Sequence, residues 1–200
     1  TCRIRAGTYR ESVTPARSGS SGLPITFEAY PGESAIVSGA NVLSGFTVHD
    51  QAKNIYKAPM ASIGAGMDQV FMGGAALPEA RFPDTASIGL EYPIPLDASL
   101  WPPRGYFSVP NTTQVTSSLL NSQPAGMWTG GLYMGTHHQS YQMQKADITN
   151  SASGVLTVVP FPGKWYVPFN EPEFGRGLIS GVMSALSTGE WVWKSGLLYI

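Results

Sequence analysis

Glu171 and Glu173, in Phe169-Asn170-Glu171-Pro172-Glu173-Phe174, are spaced so that extended backbone puts both carboxylates on one face. Two carboxyl groups so placed are what cleavage of a glycosidic bond requires, one as acid and the other as base or nucleophile. A proline-stiffened exposed loop is the simpler reading of the same residues. Glu79 and Arg81 also share a face, within Pro78-Glu79-Ala80-Arg81-Phe82-Pro83, and an intramolecular ion pair is the simpler account there. His137 and His138 are adjacent, so on a regular strand they point to opposite faces and cannot chelate one metal. A loop would relax that constraint and Asp147 would complete a site, but a polar loop is the favoured reading. His49 beside Asp50 reads either as an acid–base pair or as a solvent-facing turn, with the turn favoured by Val48 and Gln51. Cys2 is the single cysteine, so it makes no internal disulfide, and there is no cysteine pair at zinc-site spacing. The expectation is no metal, no cofactor and no assignable catalytic residue.

The aromatic residues are more suggestive. Trp101, Trp128, Tyr133, Tyr141, Trp165, Tyr166, Trp191 and Trp193 concentrate in the second half. Exposed rings stack on the apolar faces of sugars while nearby amides and hydroxyls bond the hydroxyl groups. Trp128, Tyr141 and Trp165 are the residues expected to form a substrate-binding face for a neutral glycan or polysaccharide. The competing reading is that such rings fill cores, and Trp191 with Trp193, on one strand face, is assigned to packing. Asn111-Thr112-Thr113 fits the N-glycosylation acceptor pattern, which is short enough to arise by chance.

The elements that must position these side chains read as strands. Ile25, Phe27 and Ala29 alternate before Tyr30-Pro31-Gly32, and Ala35-Ile36-Val37 follows at once. Short strands recurring about every 20 residues between tight turns are the pattern of a solenoid, whose rungs bury their faces only by stacking. Residues 69–77 form a hairpin candidate around Gly73-Gly74. Residues 83–110 are irregular, because Pro93, Pro95, Pro102 and Pro103 exclude donors from a central ladder. Strands are expected at 127–134, 141–148, 154–161 and 164–169, and a short helix, weakened by Gly181, at 177–186. Lys194-Ser195-Gly196 is a turn between two apolar strands.

Composition agrees with an all-β chain: 23 Gly and 16 Pro in 200 residues supply turns. Only 12% of residues are charged, against about a quarter in soluble domains, and the formal net charge is -1. That balance gives no electrostatic case for nucleic acid, an anionic membrane or a strongly acidic polymer. No apolar run reaches the roughly 20 residues of a membrane span.

The wording of these segments resembles a family. Gly7-Thr8-Tyr9-Arg10-Glu11, Pro24-Ile25-Thr26-Phe27, Ala29-Tyr30-Pro31-Gly32-Glu33 and Ile36-Val37-Ser38-Gly39 are similar to the first coils of right-handed parallel β-helix proteins of the polysaccharide-lyase and glycoside-hydrolase type. Asn54-Ile55-Tyr56-Lys57-Ala58, Gln69-Val70-Phe71-Met72-Gly73-Gly74, Glu79-Ala80-Arg81-Phe82-Pro83, Gly189-Glu190-Trp191 and Leu197-Leu198-Tyr199 resemble members that carry an extra β-domain early in the solenoid. The resemblance implies the first coils of a right-handed parallel β-helix (1–66), an inserted antiparallel β-sandwich or barrel domain (67–188) and a return strand (189–200). It also implies that catalytic residues lie on later rungs, beyond this sequence, and that the protein works outside the cell or at its surface. Leu186-Ser187-Thr188 departs from the acidic, proline-containing approach to Gly-Glu-Trp in that family. The chain reads as the N-terminal portion of a longer protein, partnered by the remainder of the solenoid or by another copy. The rival reading is a structural or adhesive surface protein, such as a tailspike, sheath or fibre subunit, assembling through neutral β-surfaces.

Overall fold

In the computed structural model the described residues are 1–61, 68–83, 107–136, 143–161 and 176–200. Contacts divide the chain into two compact units, Thr1–Ser44 and Gly45–Ile200.

The first unit contains β1 (Cys2–Ile4), β2 (Gly7–Tyr9), β3 (Phe27–Ala29) and β4 (Ala35–Val37). β1 pairs with β3 and β2 with β4, both in parallel register. The chain turns between β3 and β4 at Tyr30-Pro31-Gly32-Glu33, where the Glu33 N–H donates to the Tyr30 carbonyl at 2.8 Å and Gly32 takes φ 79°. Pro supplies the first central dihedral of that turn and only glycine adopts the second without strain. Arg3 faces Glu28 across the first ladder and bonds it at 3.0 Å. Glu33 receives Arg5 at 2.6 Å and the Ala6 N–H at 2.6 Å, with the Arg5 guanidinium 4.9 Å over the Tyr30 ring. Polar pairs thus lock the parallel register, while Val37, 72% exposed, and Ile36 lie open to solvent.

The second unit is antiparallel throughout its named ladders. A four-stranded sheet runs in the order β16 (Val192–Lys194), β17 (Leu197–Tyr199), β6 (Ile55–Pro59), β5 (Thr47–Asp50). A hairpin of β7 (Val70–Met72) and β8 (Ala75–Leu77) turns at Gly73 and Gly74, φ 59° and 87°, the positive pair that a two-residue turn demands. The large sheet has seven strands: β10 (Phe107–Asn111), β11 (Gln114–Ser117), β14 (Val155–Pro160), β13 (Met143–Ala152), β12 (Leu132–Thr136), β15 (Arg176–Ser180) and β9 (Arg81–Phe82), in that spatial order. One face of this sheet presents Phe107, Val109, Val115, Leu156, Val158, Ala146, Ile148, Tyr133 and Ile179 to the core. Leu120, Trp128, Val182, Ala185 and Leu186 from turns and short 3-10 segments cover that face, together with Ile55 and Val192 of the four-stranded sheet. Along β13 and β14 the buried positions alternate with exposed Lys145, Asp147, Thr157 and Val159, leaving the opposite face open there.

The all-β expectation holds. Among the described residues the parallel ladders are the two short ones of the first unit, a single parallel bridge joins Glu79 to Trp191, and the larger sheets are antiparallel, so the described elements do not amount to a parallel β-helix. The helix expected over 177–186 is instead β15 followed by a 3-10 turn at Met183–Ala185. Gly181, at φ 73°, breaks any helical path, and Gly177 to Ser180 are drawn into pairing with β12 and β9. Residues 164–169 lie outside the described residues, and β10 begins at Phe107, inside the segment read as irregular.

Candidate functional site

The β7–β8 hairpin sets Val70 opposite Leu77. The same register carried two residues outward brings Asp68 opposite Glu79 at the base of the hairpin, because residues opposite each other on antiparallel strands share a face. From Glu79 the chain is fixed on both sides. The Ala80 N–H donates to the Trp191 carbonyl at 2.7 Å, the Trp191 N–H to the Pro78 carbonyl at 3.0 Å, and the Trp191 indole Nε1 to the Leu77 carbonyl at 3.0 Å. These bonds join the strand entering β9 to the strand entering β16. β9 then pairs with β15, with Arg81 opposite Ser180.

Glu79 and Arg81, two residues apart on extended chain, therefore share with Ser180 one side of the β9–β15 edge. Gly181 completes the corner. A side chain there would bring its Cβ within 3.6 Å of Glu79 Oε1, and the residue's φ of 73° suits glycine. Among the described residues the Glu79 carboxyl makes no hydrogen bond and no ion pair, with Arg81 or with any other cation. Ser180 is 2% exposed, and among the described residues its Oγ has no hydrogen-bond partner. Burial pushes the Glu79 carboxyl above the usual carboxylate range, and the nearby charge of Asp68 pushes it further the same way. A half-buried carboxyl with a raised pKa holds its proton to higher pH than a free one, and in that form can donate a hydrogen bond, or a proton, to an oxygen of a bound molecule. No cluster of metal-ligating side chains occurs among the described residues.

Comparison with known proteins places this geometry in a context. A solved structure titled "Glycoside hydrolase" superposes with a TM-score of 0.65 at 15% identity, over 98% of this chain and 35% of that one. No protein-family model and no curated protein sequence matches the chain. At that identity the likeness concerns the fold, and this chain spans about a third of the neighbour.

The residues singled out from sequence distribute as follows. Trp128 is 2% exposed, stacks on Phe82 with centroids 4.7 Å apart and belongs to the core of the large sheet. It does not line an open binding face, because the turn carrying it folds over the apolar side of the sheet. Tyr141 and Trp165 lie outside the described residues, as do His137, His138, Glu171 and Glu173. Asp50 forms a turn, its Oδ1 accepting from the N–H groups of Ala52 and Lys53 at 3.0 and 3.1 Å, while the His49 ring meets Tyr199 edge-on at 4.9 Å. Asp147 sits exposed on β13. Trp193 donates from Nε1 to the Met60 carbonyl at 2.9 Å. Glu190, buried, accepts from the Ser187 N–H at 3.0 Å and so ties the turn that delivers Trp191.

Sequence reasoning missed Asp68 and Ser180. The first was available, since a two-residue Gly-Gly turn fixes which residues face each other. The second was hidden by assigning 177–186 to a helix.

Proposed function

We propose that this chain is the N-terminal portion of an extracellular carbohydrate-active or glycan-binding protein built on a right-handed parallel β-helix, with residues 67–188 as the inserted β-rich domain. The observation that carries the reading is the whole-chain structural likeness to a protein titled glycoside hydrolase, over 98% of these residues. Three features support it. The two parallel ladders of the first unit, with Arg3 bonding Glu28 25 positions on, have the pairing expected of one coil stacked on the next. The net charge of -1 suits a neutral polymer. The Glu79 corner offers a carboxyl with a raised pKa on the same side of the chain as the buried Ser180 hydroxyl, groups that match the hydroxyls and ring oxygens of a sugar. Tyr141 and Trp165 stay proposed as stacking rings, and Trp128 is withdrawn.

The test is affinity electrophoresis of the chain through gels containing glucan, mannan, xylan or polygalacturonate. Retardation by a neutral polymer, stronger than by polygalacturonate, is expected. Free migration in every gel overturns the reading.

A second reading, a structural or adhesive subunit, draws on the open apolar residues of the first unit, Ile36, Val37 and Val42. Concentration-dependent self-association in sedimentation, abolished by Val37→Lys, is its signature.

A further inference from the structure

Over β13 and β14 the face of the large sheet away from the core is open and has a composition of its own. Successive residues on a strand alternate faces, and cross-strand partners share one. The register sets Asp147 opposite Val159, and the Phe161 N–H donates to the Lys145 carbonyl at 3.0 Å, placing Phe161 beside Lys145. Asn150 lies opposite Thr157 after a bulge that follows Ile148. Lys145, Asp147, Asn150, Thr157, Val159 and Phe161 thus occupy neighbouring positions on β13 and β14, on the side away from the core. Val159 is 55% exposed and Phe161 39% exposed, so the face displays an aliphatic patch and an aromatic ring to solvent. Around them stand one cation, one anion, an amide and a hydroxyl, whose formal charges cancel.

We propose that this face of β13 and β14 is a binding platform for a neutral polysaccharide, with Phe161 stacking on a sugar ring and Asp147, Asn150 and Thr157 bonding its hydroxyls. This rests on the carbohydrate reading above and gives that reading a location distinct from the Glu79 corner. The chemistry favours a sugar over other occupants. A pyranose presents an apolar face of C–H groups bordered by hydroxyls, and the platform presents an apolar centre bordered by donors and acceptors. Among the described residues of β13 and β14 a protein partner would find a hydrophobic area of two exposed side chains, Val159 and Phe161, too small for a stable interface. A polyanion would find one lysine offset by one aspartate, with no net attraction.

The experiment is titration of the chain with gluco-, manno- and xylo-hexaose, followed by NMR chemical shifts and calorimetry. It is run on wild type, Phe161→Ala, Thr157→Ala and, as a control ring on the four-stranded sheet, Tyr56→Ala. The expected result is binding of at least one neutral hexaose, with shifts concentrated on β13 and β14. Phe161→Ala weakens affinity by about tenfold or more, the equivalent of one unit in log Kd. Thr157→Ala, at an exposed position that leaves the core untouched, weakens it by about threefold, and Tyr56→Ala leaves it unchanged. Wild-type affinity in both platform variants, with binding intact, places the sugar elsewhere and overturns the proposal while the carbohydrate reading survives. Failure of the wild-type chain to bind any of the three oligosaccharides removes both.

Discussion

Replacing Gly177 by Ala tests the packing that holds β15 in place. An alanine Cβ there would lie 2.5 Å from the Tyr133 Oη, 2.7 Å from its Cε2 and 2.9 Å from its Cζ. Ordinary van der Waals contact begins near 3.4 Å, so the ring must retreat by close to 1 Å or β15 must lift away from β12. Neither is easy. Tyr133 is fully buried, Phe107 packs against it with ring centroids 5.6 Å apart, and Gly177 is paired with Gly135 in the ladder next to it. Overpacking of a closed core costs about 1–3 kcal/mol; with three ring atoms in conflict, about 2–3 kcal/mol is expected here. Urea unfolding followed by tryptophan fluorescence measures the loss. Gly39→Ala is the control, because a Cβ there meets nothing within 4 Å; its expected effect is neutral or stabilising by up to about 1 kcal/mol. Tyr133→Leu removes the obstructing atoms, so adding Gly177→Ala to that variant costs less than it does in wild type, by about 1 kcal/mol or more. If Gly177→Ala loses less than about 0.5 kcal/mol, the bound expected of an unconstrained surface site, the ring is not packed on Gly177. The derivation of the buried face from register is then wrong.

Other outcomes follow from the same structure. Glu79 holds its proton to higher pH when folded than when unfolded, so its contribution is fully present below the ordinary carboxylate range and is lost as pH rises through the raised folded value. Glu79→Gln, neutral at all pH, should flatten this fall and be more stable than wild type at neutral pH; urea midpoints across the acid-to-neutral range check it, and an unchanged slope refutes it. Glu33 has the opposite sign: Arg5 and the Ala6 N–H hold its carboxyl below the usual range, so the ladder between β2 and β4 should weaken as pH falls through that range. Amide exchange at Tyr9 and Ser38, whose main chains bond at 2.9 Å, reads that weakening, and Glu33→Gln should remove its pH dependence. Trp128→Ala should cost about 3–5 kcal/mol as a core truncation. Trp128→Phe should cost much less, because the indole Nε1 it removes has no partner to lose; equal losses would refute its place in the core.

Much of the fold was legible where turn chemistry is local. Pro31-Gly32, Gly73-Gly74 and Ser195-Gly196 each turn where the sequence demanded, because a positive φ is set by the residue's own sterics. The strands around 141–161 were legible because alternation survives where one face is wet. β12 was read several residues early, at 127–134, and β15 was not read as a strand, since Tyr133, Met134, Leu178, Ile179 and Ser180 are all buried and a strand covered on both faces loses its period. With the period gone, residues 177–186 matched a helix as well as a strand, and only the pairing of β15 with β12 and β9 decides between them. The parallel β-helix was inferred from a likeness of wording. What local physics delivered is two parallel ladders and a larger antiparallel unit.

The same distinction governs the site. A residue's type shows what it can do, whereas its use depends on partners that distant register supplies. Glu79 looked like half of an ion pair with Arg81 because both fall on one side of an extended segment. Its pKa is raised because partial burial disfavours the charged form and, as the smaller cause, because the hairpin returns Asp68 to its side. Trp128 looked like a sugar-stacking ring by composition and became core because its turn is folded over the apolar face of the sheet. Phe161 attracted no notice in the sequence, yet alternation along β14 puts it on the open side beside Asp147 and Lys145. A glycan platform on this chain is therefore sought where an aromatic ring falls on the wet face of a sheet whose other face already supplies the core, a condition that Phe161 meets and Trp128 does not.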